Sequence, residues 1–234
     1  MPESPEVTHM KDELLVFKNA KITNITKITK NLKIKLPIKI KEVSNKGKFL
    51  YIILSNDYVI GFSLGMTGKF IMNEDIDKHT IITFRTNRGS FQFNDVRRFG
   101  KVYVYNNKQL KDKLNTLGPD ALKELPDISQ VKFNEMLKLK SNKILCDVLL
   151  DQTFLSGIGN AYRAEIMYRS KLHPLRLISS LSSVDKRKLK KSIEYIIQKY
   201  YKNLDAPLKI YGNSLADKIK RKDRTVWFNS TIQI

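Results

Sequence analysis

The chain has 234 residues, 41% of them hydrophobic, and a formal net charge of +20. That apolar share supports one large core or two smaller ones and is too high for a disordered chain, and no run approaches the ~18 apolar residues of a membrane span. One cysteine, Cys146, excludes an internal disulfide and a thiolate zinc site, while the positive excess favours a polyanionic partner, nucleic acid first.

At the N-terminus, Val7, Met10, Leu14 and Phe17 recur at helical spacing. Ser4 is placed to cap this helix, Pro5 suits its first turn, and Glu6 faces the positive end of its dipole. The acids Glu3, Glu6, Asp12 and Glu13 are foreign to a signal peptide, so an intracellular setting is expected. From Lys21 to about Tyr105 the period changes to two. Leu32, Ile34 and Leu36 alternate with lysines, Phe49, Tyr51 and Ile53 alternate with Leu50, Ile52 and Leu54, and YVIGFSLGM, TIITFRT, SFQF and KVYVY follow. Many short strands between turn signals imply a β-sandwich or barrel. The polar stretch from Asn106 to Asp120 reads as a linker.

Beyond Pro126 the pattern is helical. Phe133, Met136 and Leu137 mark one helix, KILCDVLLD a second with Cys146 as a small buried hydrophobe, and AYRAEIMYRS a third. Ser183 is placed to cap a fourth, with Leu189, Ile193, Ile196, Ile197 and Tyr200 inward and Lys186, Arg187, Lys190 and Lys191 outward. Short β-like runs, LKIYG and RTVWF, close the chain. The expected class is α+β in two domains with a cleft between them: residues 1–108, a linker at 109–125, and 126–234.

The most informative stretch is LDQTFLSGIGNAYRAEIMYRSKLHP, residues 150–174. A glycine-rich turn running into a helix N-terminus offers backbone N–H groups to a phosphate, and Asn160 adds a side-chain amide there. Gly-x-Gly alone would equally suit a tight turn between two helices. The whole string resembles the helix–two-turn–helix of the formamidopyrimidine-DNA glycosylase and endonuclease VIII family. Other stretches resemble the same family in order. They are Pro2-Glu3 with Pro5-Glu6-Val7, SNKGKFLYI (44–52), FSLGMTGKF (62–70), FNDVRRFG (93–100) and YGNSLADKIKRKDRTVWF (211–228).

This resemblance implies an N-terminal β-sandwich with a leading helix, then a helical domain ending in a β-hairpin finger, about residues 208–234. It implies a bifunctional DNA glycosylase and abasic-site lyase acting on double-stranded DNA, monomeric, free of membrane and needing no cofactor. Such an enzyme works wherever DNA is kept: nucleus, nucleoid or viral compartment. Once Met1 is removed, Pro2 would attack the sugar C1′. A chain-terminal amine has a pKa near ~8 against ~10.4 for lysine, so about a tenth carries its lone pair at pH 7. Glu3 would move protons at the sugar and amine, supported by Glu6, although both acids also suit a helix start. By the same resemblance Lys48 is catalytic and, with Asn160 and Arg224, holds phosphates, while Met66, Arg97 and Phe99 fill the void left by the flipped nucleotide. Read without the family, these would be a turn lysine, a core methionine, a surface arginine and a core phenylalanine.

The finger lacks the four cysteines of many relatives and has no histidine, so it resembles the zincless branch, held by Val226, Trp227 and Phe228. Ser63 replaces a histidine and Val96 a proline of the family pattern. His9, His79 and His173 receive no catalytic role. Only KNLDAPLK separates the long helix from Ile210-Tyr211. Relatives preferring 8-oxoguanine carry a longer capping loop there, so the resemblance implies oxidised pyrimidines and hydantoins as substrates. The competing reading is a non-catalytic nucleic-acid-binding protein using the same helix–two-turn–helix module.

Overall fold

The computed structural model describes residues 1–27 and 34–234. The chain divides into two compact units. One comprises Met1–Pro2 and Glu6–Thr116, the other Glu3–Pro5 and Leu117–Ile234.

The first unit holds most of α1 (Ser4–Leu14) and eight strands: β1 (Lys21–Lys27), β2 (Ile38–Lys46), β3 (Phe49–Leu54), β4 (Val59–Ser63), β5 (Gly68–Met72), β6 (Thr80–Thr86), β7 (Gly89–Asp95) and β8 (Lys101–Tyr105). All pairings are antiparallel, in the order β5-β7-β6-β1-β2-β3-β4-β8. The β1–β2 junction is short, with Ile22 opposite Ile38, and divides the strands into two four-stranded halves of a sandwich. Inward residues from both halves pack an aromatic core. Phe62 meets Phe70 edge-on at 4.9 Å, and Phe84 stacks on Phe91 at 4.8 Å. Val7 and Leu14 of α1 join this core.

Two expectations change in this unit. Ile34 and Leu36 lie ahead of β2, which begins at Ile38 directly after Pro37, a residue with no N–H to give a ladder; Leu32 lies outside the described residues. The stretch read as linker contains helix α2 (Asn107–Asn115). Asn106 caps it reciprocally with Gln109, a signature the polar composition concealed.

The second unit is built on α3 (Gln130–Lys138), α4 (Leu145–Leu150), α5 (Asn160–Ser170) and α6 (Ser183–Lys202). Helix α5 is buried along nearly its whole length, and Ile166 and Met167 pack with Leu145, Leu149, Ile193 and Ile197. The α6 cap is Ser182, one residue before the expected Ser183, with Asp185 returning the bond at 3.1 Å. Lys190, expected outward, is buried. It lies beside inward Leu189 and pairs with Glu194 one turn on, so its stem covers apolar surface. The closing hairpin consists of β9 (Asp217–Arg221) and β10 (Arg224–Phe228). LKIYG forms no strand. Val226 and Phe228 are buried, and Trp227 packs at 6.0 Å from Tyr211 under the Lys218 ammonium. Among the described residues no helix is long and apolar enough to cross a membrane.

Candidate active site

In the second unit the focus is the N-terminus of α5. The first N–H groups of a helix have no intrahelical partner and carry the positive end of its dipole. The cap residue, Gly159, has no side chain to satisfy them. Glu3 does so from at least 156 positions away. Its buried carboxylate accepts from the N–H groups of Gly159 (2.5 Å), Ala161 (2.9 Å) and Tyr162 (3.4 Å). The alternative reading of Glu3 as an acid at the start of its own helix gives way, since the structure puts its carboxylate on the dipole of α5. Ser4 is the first residue of α1 rather than its cap. Its N–H donates to the Gly157 carbonyl at 2.9 Å and its hydroxyl to Asp120 at 3.3 Å. Pro2, half-buried, is thus one residue from a fixed carboxylate, and Met1 is exposed.

Asn160 opens α5 and donates its amide to the Thr225 carbonyl at 3.2 Å, beside exposed Arg224 on the finger. Its oxygen accepts from Arg163, which is fully buried, donates to the Cys146 carbonyl at 3.1 Å and, among the described residues, finds no partner for its Nε. Burial pushes the Arg163 guanidinium pKa below its ordinary value. Asn160 is therefore fastened to the strand that begins with Arg224. A cavity of about 550 Å³ opens next to them, lined in part by Arg163, Arg221, Lys222 and Arg224. Arg221 pairs with Asp147 at 3.1 Å and ties the finger to α4. Gln152 braces the glycine turn, accepting from Gly157 N–H at 3.0 Å and donating to the Ile158 carbonyl at 2.9 Å. Buried Glu165 accepts from the N–H groups of Lys209, Ile210 and Tyr211 at 2.8–3.0 Å, anchoring the segment that leads into the finger.

In the first unit, Gly47 and Lys48 form the two-residue turn between β2 and β3, and Gly47 adopts φ +55° as such a turn requires. Buried Asn45 donates to Thr8 of α1 at 3.1 Å and to the Gly47 carbonyl at 3.2 Å, so the Lys48 turn is fastened to the leading helix. Glu6 lies half-buried on that helix.

Met66, Arg97 and Phe99 meet in one exposed cluster. The Arg97 guanidinium donates to the Met66 sulfur at 3.0 Å and lies 4.9 Å from the Phe99 ring centre. Met66 and Phe99 are 41% and 55% exposed, which decides against core roles for them. Their loops touch through backbone. A Cβ on Gly65, at φ +61°, would come within 2.8 Å of Gly100 nitrogen. Val96 occupies the second position of a turn closed by Arg98 N–H to the Asp95 carbonyl at 3.2 Å. Ser63 ends β4 opposite Phe49 and Lys101.

His79 N–H donates to Asp77 at 2.8 Å, and the His173 ring packs against Phe228 at 5.0 Å. Among the described residues no group of three or more His, Cys, Asp or Glu side chains is assembled to hold a metal. Sequence reasoning missed Asn45, Asp95, Gln152, Arg163 and Glu165. Each lies inside a stretch quoted for the family resemblance, but no local pattern gave any of them an individual role.

Residues 1–102 match the profile of the formamidopyrimidine-DNA glycosylase N-terminal domain, and residues 117–204 that of the formamidopyrimidine-DNA glycosylase H2TH domain. The chain belongs to the formamidopyrimidine-DNA glycosylase family. The enzyme of that name from Oceanobacillus iheyensis is 32% identical over 236 residues, covering 93% of this chain and 82% of its own. The one from Ureaplasma parvum is also 32% identical, covering 90% and 82%. A crystal structure of Lactococcus lactis Fpg with DNA containing an oxidised pyrimidine superposes with a TM-score of 0.88 at 26% identity over 99% of each chain. Another, of the same protein with DNA containing an abasic site, gives 0.87 at 26% identity over the same share. Membership in the formamidopyrimidine-DNA glycosylase family makes DNA-repair glycosylase chemistry the frame in which the site is read.

Proposed function

We propose that this chain is a bifunctional DNA glycosylase and abasic-site lyase that excises oxidised bases from duplex DNA through its Pro2 nitrogen. The observation that carries the reading is the pinning of Glu3, which holds the residue after Pro2 against the helix–two-turn–helix by three N–H bonds. With Met1 removed, the Pro2 lone pair attacks C1′ and the base leaves with its bonding electrons and a proton. The resulting iminium joins Pro2 to the opened sugar and acidifies the C2′ proton. Loss of that proton expels the 3′ phosphate, and a second elimination expels the 5′ phosphate. Glu3 passes protons at the sugar oxygen and the amine, since a carboxylate oxygen bonded to one N–H retains another lone pair. Lys48, Asn160 and Arg224 hold phosphates flanking the extruded nucleotide, and Met66, Arg97 and Phe99 occupy the gap it leaves.

The finger stands without zinc, because its sequence holds no cysteine or histidine and its packing rests on Val226, Trp227 and Phe228. Between α6 and Tyr211 the chain makes only a short turn, with Tyr200 hydroxyl donating to the Pro207 carbonyl at 3.1 Å. This supports a site without a purine-capping loop and a preference for oxidised pyrimidines and hydantoins. The Lactococcus protein, by its crystal structures, binds DNA containing an oxidised pyrimidine or an abasic site.

Borohydride reduction on an abasic oligonucleotide tests the reading. The chain with a free Pro2 forms a covalent adduct. A chain whose residue-2 nitrogen remains an amide forms none, because an amide lone pair is delocalised into its carbonyl. Binding without any adduct from the free chain would make it a nucleic-acid-binding protein and overturn the proposal.

A further inference from the structure

We propose that Asp95 is a positioning residue that locks two separate loops into one surface and thereby governs action on duplex, as opposed to single-stranded, DNA. The assignment rests on reading Met66, Arg97 and Phe99 as the residues that enter the duplex.

Asp95 ends β7 and is fully buried. Its carboxylate is met by three neutral donors. Oδ1 accepts from the Thr67 hydroxyl and from Arg97 N–H at 3.3 Å, and Oδ2 accepts from Gly100 N–H at 2.6 Å. Each donor belongs to the cluster or adjoins it. Thr67 follows Met66, Arg97 is itself a member, and Gly100 follows Phe99. The Thr67 hydroxyl also accepts from Arg97 N–H at 3.0 Å, so it bridges the two loops directly. A buried charge left short of donors is costly, so the carboxylate selects the one loop arrangement in which all three converge. That arrangement is the one in which Arg97 reaches the Met66 sulfur and the Phe99 ring.

Presenting three side chains to a gap in stacked bases requires their loops to be ordered beforehand, or binding must supply the ordering. Single-stranded DNA has no opposite base and no gap to fill. Loss of the lock therefore weakens action on duplex while largely sparing the chemistry at the sugar. A purely structural role would lower both together.

The test uses one abasic oligonucleotide, single-stranded and annealed, and measures the strand-cleavage rate of each full-length variant on both. Asp95→Asn and Thr67→Val each lower the duplex-to-single-strand rate ratio by about tenfold, and Thr67→Ser, which keeps the hydroxyl, retains the wild-type ratio. If Asp95→Asn does not fold, Thr67→Val decides. An unchanged ratio, or an equal loss on both substrates, overturns the lock alone. A wild-type chain that cleaves neither substrate overturns the underlying reading and the lock with it.

Discussion

Glu165 and Cys146 are both buried in the second unit and behave oppositely. Glu165 is a carboxylate with a full set of donors, and three consecutive backbone N–H groups converge on it from residues 209–211. Glutamine there turns an NH2 group toward one of those donors. Glu165→Gln is expected to cost about 1–3 kcal/mol of stability, read from the urea midpoint at constant slope. Cys146 has no charged role to satisfy. Burial pushes its thiol up to about 11. At pH 8 its thiolate fraction is roughly a hundredfold below that of a free cysteine, so alkylation of the native chain should be at least that much slower than of the urea-unfolded chain. Comparable rates in both states would show the helical core to be open. The burial of Cys146 was legible from the apolar run around it, whereas the environment of Glu165 was not. Glu165 stands among apolar neighbours with partners more than forty positions away, and no local pattern records such a pairing.

Elements were legible where one face is wet and the other dry. The 3.6-residue period exposed α6, because burial on one side writes itself into the sequence, while β3, buried on nearly every residue, was legible as a continuous apolar run. Where a polar element carries little apolar surface, the period fades. Helix α2 buries only Leu110, and β9 reads DKIKR with its middle residue half-covered, so both were missed. The C-terminal end of α4, capped by Asp151, offers a check by pH. Burial raises the Asp151 pKa, but hydrogen bonds from Lys140 and Thr153 and the Lys140 charge outweigh it and bring it down to about 2. A folded value below the unfolded one stabilises above about pH 4 and loses that contribution as pH falls toward 2. The stability difference between wild type and Asp151→Asn should therefore shrink between pH 4 and pH 2.5, measured by urea unfolding at each. A constant difference would mean that the Lys140–Asp151 contact, at 2.9 Å, does not persist in solution.

For the molecule as a whole, the net charge of +20 sets a long-range attraction to DNA that carries no sequence information. Lys48 and Arg224 are proposed as specific phosphate contacts within that field. Lys48→Ala and Arg224→Ala should each reduce the slope of log Kd against log salt by about one, whatever the lesion. Unchanged slopes would remove them from the interface. The neighbourhood of Met66, Arg97 and Phe99 was legible only through the family resemblance, since they come from loops about thirty positions apart and their common anchor, Asp95, gives no periodic signal. The pinning of Glu3 to α5 was likewise beyond local pattern, because its partners lie 156 to 159 positions away.

All of the proposed chemistry rests on one bond between the chain and the sugar. The most direct measurement is peptide mapping by tandem mass spectrometry of the borohydride-reduced adduct with abasic DNA. The account requires the added deoxyribose mass on a peptide that begins at Pro2, fixed to its nitrogen. The same mass on a lysine side chain, with Pro2 unmodified, would contradict it.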